Sequence, residues 1–214
     1  PMEIKDFDPM HRWFDLCYRN KVNVRAATLM CQQFIDSYGE THRYYHTLAH
    51  IHSCLNLLDG VLLEQNELNF IEYAVWFHDI IYDPISDTNE MQSAEVAEKW
   101  LLEQGISNAS RVAHLIEQTA DYGIDPPSDR MQAILHDLDL HVLGSTTDKY
   151  HEYAVNIRKE FKHLTNNDFF SGRSKFLKGL LARSSIYATE SFKELFEQQA
   201  INNINKELGS LDSF

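Results

Sequence analysis

The chain has 214 residues, 43% hydrophobic and 24% charged, which fits a soluble globular protein long enough to bury a sizeable core. Its net charge of −13 argues against nucleic acid or an anionic membrane as a bulk partner, because both demand a basic face. No apolar run approaches the roughly 18 residues of a membrane span, and "PMEIKDFDPMHRW" lacks a basic-then-apolar signal pattern.

Glycine and proline are few, at 8 and 5, and they fall where helices would break. In chain order, helices are expected over 9–19 and 23–38, followed by the loop "SYGETHRYY" and then by 46–59, 67–81, 89–104 and 108–121. Within 67–81, Phe70, Ala74, Phe77 and Ile81 form one stripe, with Ile71 and Val75 beside it. "GIDPPSD" is the clearest break, and Ser128 or Asp129 is placed to cap a helix over 129–143. After Gly144, helices are expected over 147–164, 173–183 and 190–208, the last capped by Thr189. Strict apolar alternation and Asn-Gly or Asp-Gly hairpin turns are missing. The reading is an all-α protein, with residues 1–214 as a single-domain helical bundle. Cys17, Cys31 and Cys54 are scattered in apolar surroundings. That argues against a disulfide framework or a thiolate zinc site and suits a cytoplasmic protein.

Three stretches carry residues with chemistry. "RYYHTLAHI" (43–51) sets His46 and His50 four apart, about 400° of helix, so they would share one face if a helix begins there. They could be two ligands of one metal, one ligand and one catalyst, or two core histidines. "AVWFHDIIYDP" (74–84) embeds His78 and Asp79 in an apolar helix. An ionised aspartate there calls for a cation or strong hydrogen bonds, and a His–Asp bond or a cap near the helix end is the structural alternative. "AILHDLDLHVLG" (133–144) places Asp137 and Asp139 on different faces of a helix, one toward the core and one toward rim or solvent, with His136 and His141 read as polar-face residues. Taken together, three expected helices bring imidazole and carboxylate into apolar surroundings, the usual way a bundle builds a metal site. Two imidazoles with two carboxylates suit one divalent ion, Mn, Fe, Co, Ni, Zn or Mg, with positions left open for catalysis.

The order His … His-Asp … Asp on helices resembles the HD-domain superfamily of metal-dependent phosphohydrolases. More narrowly, the chain resembles a group of small bacterial predicted HD-domain hydrolases of unassigned substrate. "RYYHTLAHI", "WFHDIIYDP", "NEMQSAEVA", "DLDLHVLG", "IRKEF" and "GRSKFLKGLLARSSIYAT" carry the resemblance over about residues 40–208. It implies an HD-type bundle that hydrolyses a small phosphorylated substrate such as a nucleotide. In the related cyclic nucleotide phosphodiesterases a Tyr-His dipeptide comes four residues before the first metal-binding histidine. By that likeness His50 is a ligand and His46 the general acid or a phosphate contact. His78 and Asp79 carry over as the next two ligands, and Asp137 or Asp139 as the fourth. Arg43 would meet phosphate through its fork of donors, unless it is a solvated loop arginine. Tyr82, Asp83, Asn89 and Glu90 would rim the pocket or serve as caps and turn residues. Arg158, Arg173 and Arg183 match the group's pattern as sources of positive charge, with surface or structural roles as the alternative. One departure is Tyr122, where "LIEQTADY" in that group usually ends in histidine; it favours a single metal. Competing readings are an HD-type diiron oxygenase, which needs about six ligands, and a non-catalytic binding module stabilised by a metal.

Overall fold

Helix starts and stops in this chain follow side chains that satisfy the backbone groups a helix leaves orphaned. The structure, a computed structural model, describes residues 9–120 and 126–211, and every regular element among them is helical. The all-α class expected from the sequence is therefore observed. Contacts gather these residues into two compact units, the first within Pro1–Glu117 and the second within Gln118–Phe214. No helix among the described residues is long and apolar enough to cross a membrane. Cys17, Cys31 and Cys54 are buried and are not joined in a disulfide.

The first unit contains α1 (Pro9–Arg19), α2 (Val24–Tyr38), α3 (Leu48–Leu58), α4 (Gln65–Phe77), α5 (Asn89–Glu103) and α6 (Ala109–Glu117). Asn23 starts α2 by accepting from the N–H groups of Arg25 and Ala26, and a Glu64/Glu67 capping box starts α4. Gly105 ends α5 at φ +71°, a left-handed conformation that costs glycine little. Trp13 is the hub of the core. It is fully buried, its Nε1 donates to Ala27 O at 2.9 Å, and its ring lies 4.9 Å from Phe34, 5.7 Å from Trp76 and 5.2 Å from Trp100. One ring cluster thus joins α1, α2, α4 and α5, each edge-to-face pair adding about 0.5–1.5 kcal/mol beyond area burial. α4 also carries Glu72, whose buried carboxylate is held by Arg12 (2.9 Å) and by Arg19. Two guanidinium partners make that burial tolerable, and they tie α4 to α1. The C-terminal end of α4 is therefore a fixed point of the unit.

The second unit contains a 3-10 turn (Gln118–Ala120), α7 (Arg130–Leu140), a 3-10 turn (His141–Gly144), α8 (Thr147–Glu160) and α9 (Asn166–Leu181). It closes with α10 (Glu190–Phe192), a π-helical turn (Lys193–Glu197) and α11 (Gln198–Leu211). Of the two cap candidates, Asp129 starts α7, accepting from Gln132 N at 3.0 Å. α9 starts at Asn166 rather than at 173, because Thr165 caps it by accepting from Asp168 N. Thr189 stands at the N-cap position of α10 but does not cap it; its hydroxyl donates to Asp137 at 2.6 Å. The π turn ends on Glu197, which accepts from the N–H groups of Ile186 and Tyr187 at 2.7 and 3.1 Å and so pins the loop before α10. Gly144 is required by close approach: a Cβ there would lie 2.5 Å from Phe196 Cβ and 2.9 Å from the Tyr187 hydroxyl.

Candidate metal centre

The sequence reading carries α4 through residue 81, but the helix stops at Phe77 with His78 as its C-cap. The His-Asp pair is therefore at a helix end, not inside a helix. Nearly every carbonyl of this end has a defined donor, as a buried terminus requires. Ala74 O accepts from His78 N at 2.9 Å, Val75 O faces His78 Nδ1 at 2.8 Å, and Trp76 O accepts from the Tyr38 hydroxyl at 2.8 Å. Phe77 O takes Ile80 N at 3.1 Å, Asp79 O and Ile80 O take Arg43, and Ile81 O takes the Ser93 hydroxyl at 3.2 Å.

The Val75 carbonyl sets the chemistry of His78. A carbonyl only accepts, so Nδ1 carries the proton and a neutral ring presents a lone pair at Nε2. That Nε2 lies 3.3 Å from Nε2 of His50 and 3.1 Å from Oδ2 of Asp79, while His50 Nε2 lies 3.9 Å from the same oxygen. His50 and His78 are 3% and 2% exposed. A nitrogen lone pair facing a carboxylate oxygen at this distance is repulsive unless a positive charge lies between them. A proton on His78 supplies one; so does a divalent ion, for which two imidazole nitrogens and a carboxylate oxygen form a suitable donor set. A ligating histidine whose other nitrogen is held by a carbonyl is the usual supporting arrangement for a metal. The residues fit the group.

Of the candidates named from sequence, the structure thus brings His50, His78 and Asp79 together. His46 is placed differently from the expectation. It precedes α3, because Thr47 is the extended N-cap (φ −119°, ψ 176°), so His46 and His50 do not share a helix face. The His46 ring nevertheless lies 6.2 Å from that of His50 and 4.2 Å from that of Tyr82, and the side chain is half-buried. Arg43 is corrected too: its side chain is fully buried, and its guanidinium serves Glu40 and backbone carbonyls rather than facing an incoming phosphate. Asp83 and Asn89 form a turn, with Asp83 N on Asn89 Oδ1 and Asn89 Nδ2 on Asp83 O, both at 2.9 Å. Sequence reading missed Tyr38, His42 and Ser93 as individual residues of the site, although each carries a hydrogen bond there.

In the second unit, Asp137 and Asp139 have separate fates. Asp137 is fully buried, with Oδ1 accepting from Ala188 N at 2.7 Å and Oδ2 from Thr189 N at 2.8 Å and the Thr189 hydroxyl at 2.6 Å. Burial pushes its carboxyl upward against the pull of these donors. Both oxygens are engaged by the loop before α10, so Asp137 brackets that loop. Asp139, half-buried on α7, stays as the other candidate. His136 is not on a polar face: it is 2% exposed, its Nε2 donates to Ile186 O at 3.0 Å, and burial pushes its pKa down to about 4. His141 is half-buried, its Nδ1 donating to Leu138 O at 2.6 Å. The three arginines have structural partners. Arg158 donates to Phe161 O and Leu164 O, Arg173 to Glu207 and Tyr153, and buried Arg183 lies beside His136. Tyr122 lies outside the described residues. Comparison of the chain with protein-family models, with curated proteins and with solved structures gives no match.

Proposed function

We propose that the protein is a metal-dependent phosphohydrolase of the HD type, acting on a small phosphoester such as a nucleotide. One observation carries the reading: the His50, His78 and Asp79 donors converge, with the His78 proton committed to Val75 O, a donor set that suits a divalent ion. His50 Nε2, His78 Nε2 and Asp79 Oδ2 would hold a divalent ion. The ion, when bound, supplies an activated water and polarises a phosphoryl oxygen. His46 delivers a proton to the departing oxygen, from a loop and beside Tyr82 rather than from a helix face. The acidic surface steers no polyanion, so selectivity for a small substrate rests on the site itself.

The test is elemental analysis and calorimetric titration with Mn, Co and Zn, followed by a panel of phosphoesters with and without chelator. Wild type should bind near one ion per chain and release phosphate from at least one ester. His50→Ala and Asp79→Ala should lose the ion, whereas His46→Ala should keep it and lose turnover by roughly 10²- to 10⁴-fold. Binding as in wild type by both ligand variants would overturn the assignment. Oxygen uptake without phosphate release would move the activity to the oxygenase class.

A further inference from the structure

We propose that Arg43 is a positioning residue of this site, a buried clamp that fixes the His46 loop against the His78–Asp79 turn; the inference rests on the functional reading above. Three observations carry it. The guanidinium is fully buried, and its Nη1 donates to His46 O at 3.3 Å and Asp79 O at 2.6 Å, while Nη2 donates to Ile80 O at 3.0 Å and Nε to Glu40 Oε2 at 2.9 Å. One rigid group thus bridges the peptide of the proposed acid, His46, to the peptide of a proposed ligand, Asp79, itself 36 residues from Arg43 in sequence. The rings of Tyr38 and Tyr82 hold the fork in place, their centroids 5.1 and 5.4 Å from its central carbon. The same two segments are joined independently by His42 Nε2 on Tyr82 O at 2.8 Å, and the helices that lead into them by the Tyr38 hydroxyl on Trp76 O at 2.8 Å.

The consequence is directional. Bonds to the carbonyls of Asp79 and Ile80 fix the Asp79 backbone, and with it the direction in which Oδ2 meets His78 Nε2. The charge matters as well: a helix C-terminus is negative, Asp79 adds to that, and a guanidinium among the carbonyls offsets both. Lysine would keep the charge and lose the geometry, because one ammonium cannot span carbonyls on two segments and a carboxylate at once.

Arg43→Lys is therefore the test, read in two arms. In the metal-free protein, amide shifts of residues 46–47 and 79–82 should move from wild type. In the Co(II)-loaded protein, affinity should fall about 10- to 100-fold and the visible ligand-field spectrum should change, as when support around a ligand is removed. A folded variant with wild-type amide shifts, affinity and spectrum would overturn the proposal. If wild type takes up no Co(II), the functional reading fails by itself, and the metal-free arm still decides whether Arg43 holds the two segments. Should Arg43→Lys not fold, exchange of the Arg43 guanidinium protons in wild type decides: slow exchange and hindered rotation support the clamp, and fast exchange with free rotation overturns it.

Discussion

Replacing Asp137 by alanine separates a structural carboxylate from a metal ligand. The side chain is fully buried and accepts three hydrogen bonds, from Ala188 N, Thr189 N and the Thr189 hydroxyl, at 2.7, 2.8 and 2.6 Å. Hydrogen bonds to a charged group contribute about 1.5–3 kcal/mol each, but three would not add in full. Ala188 and Thr189 are half-buried, so water reaches the orphaned donors, and removing a buried carboxylate relieves its own desolvation. A net loss of about 2–4 kcal/mol follows, which at roughly 2–4 °C per kcal/mol for a chain of this size lowers the melting temperature by about 5–15 °C. The assay is a thermal melt in chelator, paired with metal titration well below the transition, for Asp137→Ala and Asp139→Ala side by side. Asp137→Ala should melt early and bind metal as wild type does; Asp139→Ala should melt near wild type. An Asp137→Ala protein that melts like wild type and loses the ion would refute the reasoning, since its oxygens would then face a cation and not the loop.

Gly144→Ala should destabilise by about 1–3 kcal/mol in a urea titration, because the added methyl meets Phe196 Cβ at 2.5 Å and Phe196 O at 2.7 Å; an unchanged midpoint would mean that the turn yields freely. His136 should make stability depend on pH. Burial lowers its pKa to about 4 in the folded protein, against about 6.5 when unfolded, so between these values the unfolded chain binds the extra proton. Its contribution is complete above pH 6.5 and disappears as pH falls through 4, a change of about 3 kcal/mol. His136→Gln, which keeps a donor for Ile186 O, should flatten that part of the slope; identical slopes in the two proteins would count against it.

Caps and apolar periodicity made most helices legible in the sequence. Asp129 starts α7 where a cap after "GIDPPSD" is expected, and the stripe through Phe70, Ala74 and Phe77 belongs to a buried helix. The start of α9 was hidden, because "TNNDFF" reads as polar loop until Thr165 is seen to accept from Asp168 N. The partners in the site were legible as residue types and not as geometry. Periodicity sets Asp137 and Asp139 on different faces, yet it does not say whether the inward face meets a cation or a loop. Spacing alone put His46 and His50 on one face, and the extended backbone of Thr47 overrode it. Arg43 reads from sequence as a phosphate-binding charge; its role becomes visible only once the end of α4 presents carbonyls that need donors.

That helix end also bears on the proposed metal. The last carbonyls of α4 carry the negative pole of the helix, and Asp79 places a carboxylate next to it, an arrangement that costs about 0.3–1 kcal/mol without compensation. Arg43 compensates on the backbone side, through the Asp79 and Ile80 carbonyls just beyond the helix, whereas His78 Nε2 and Asp79 Oδ2 stand 3.1 Å apart on the side-chain side. A proton or a metal between these atoms would compensate there, and the two differ in a measurable way. A proton stabilises the pair only as far as pH supplies it. A metal stabilises the folded chain by mass action, about 2.7 kcal/mol at a hundredfold excess over its Kd. A melting temperature that climbs with added Co(II) at pH 7.5 in wild type, and stays flat in His78→Ala, assigns the missing charge to the metal.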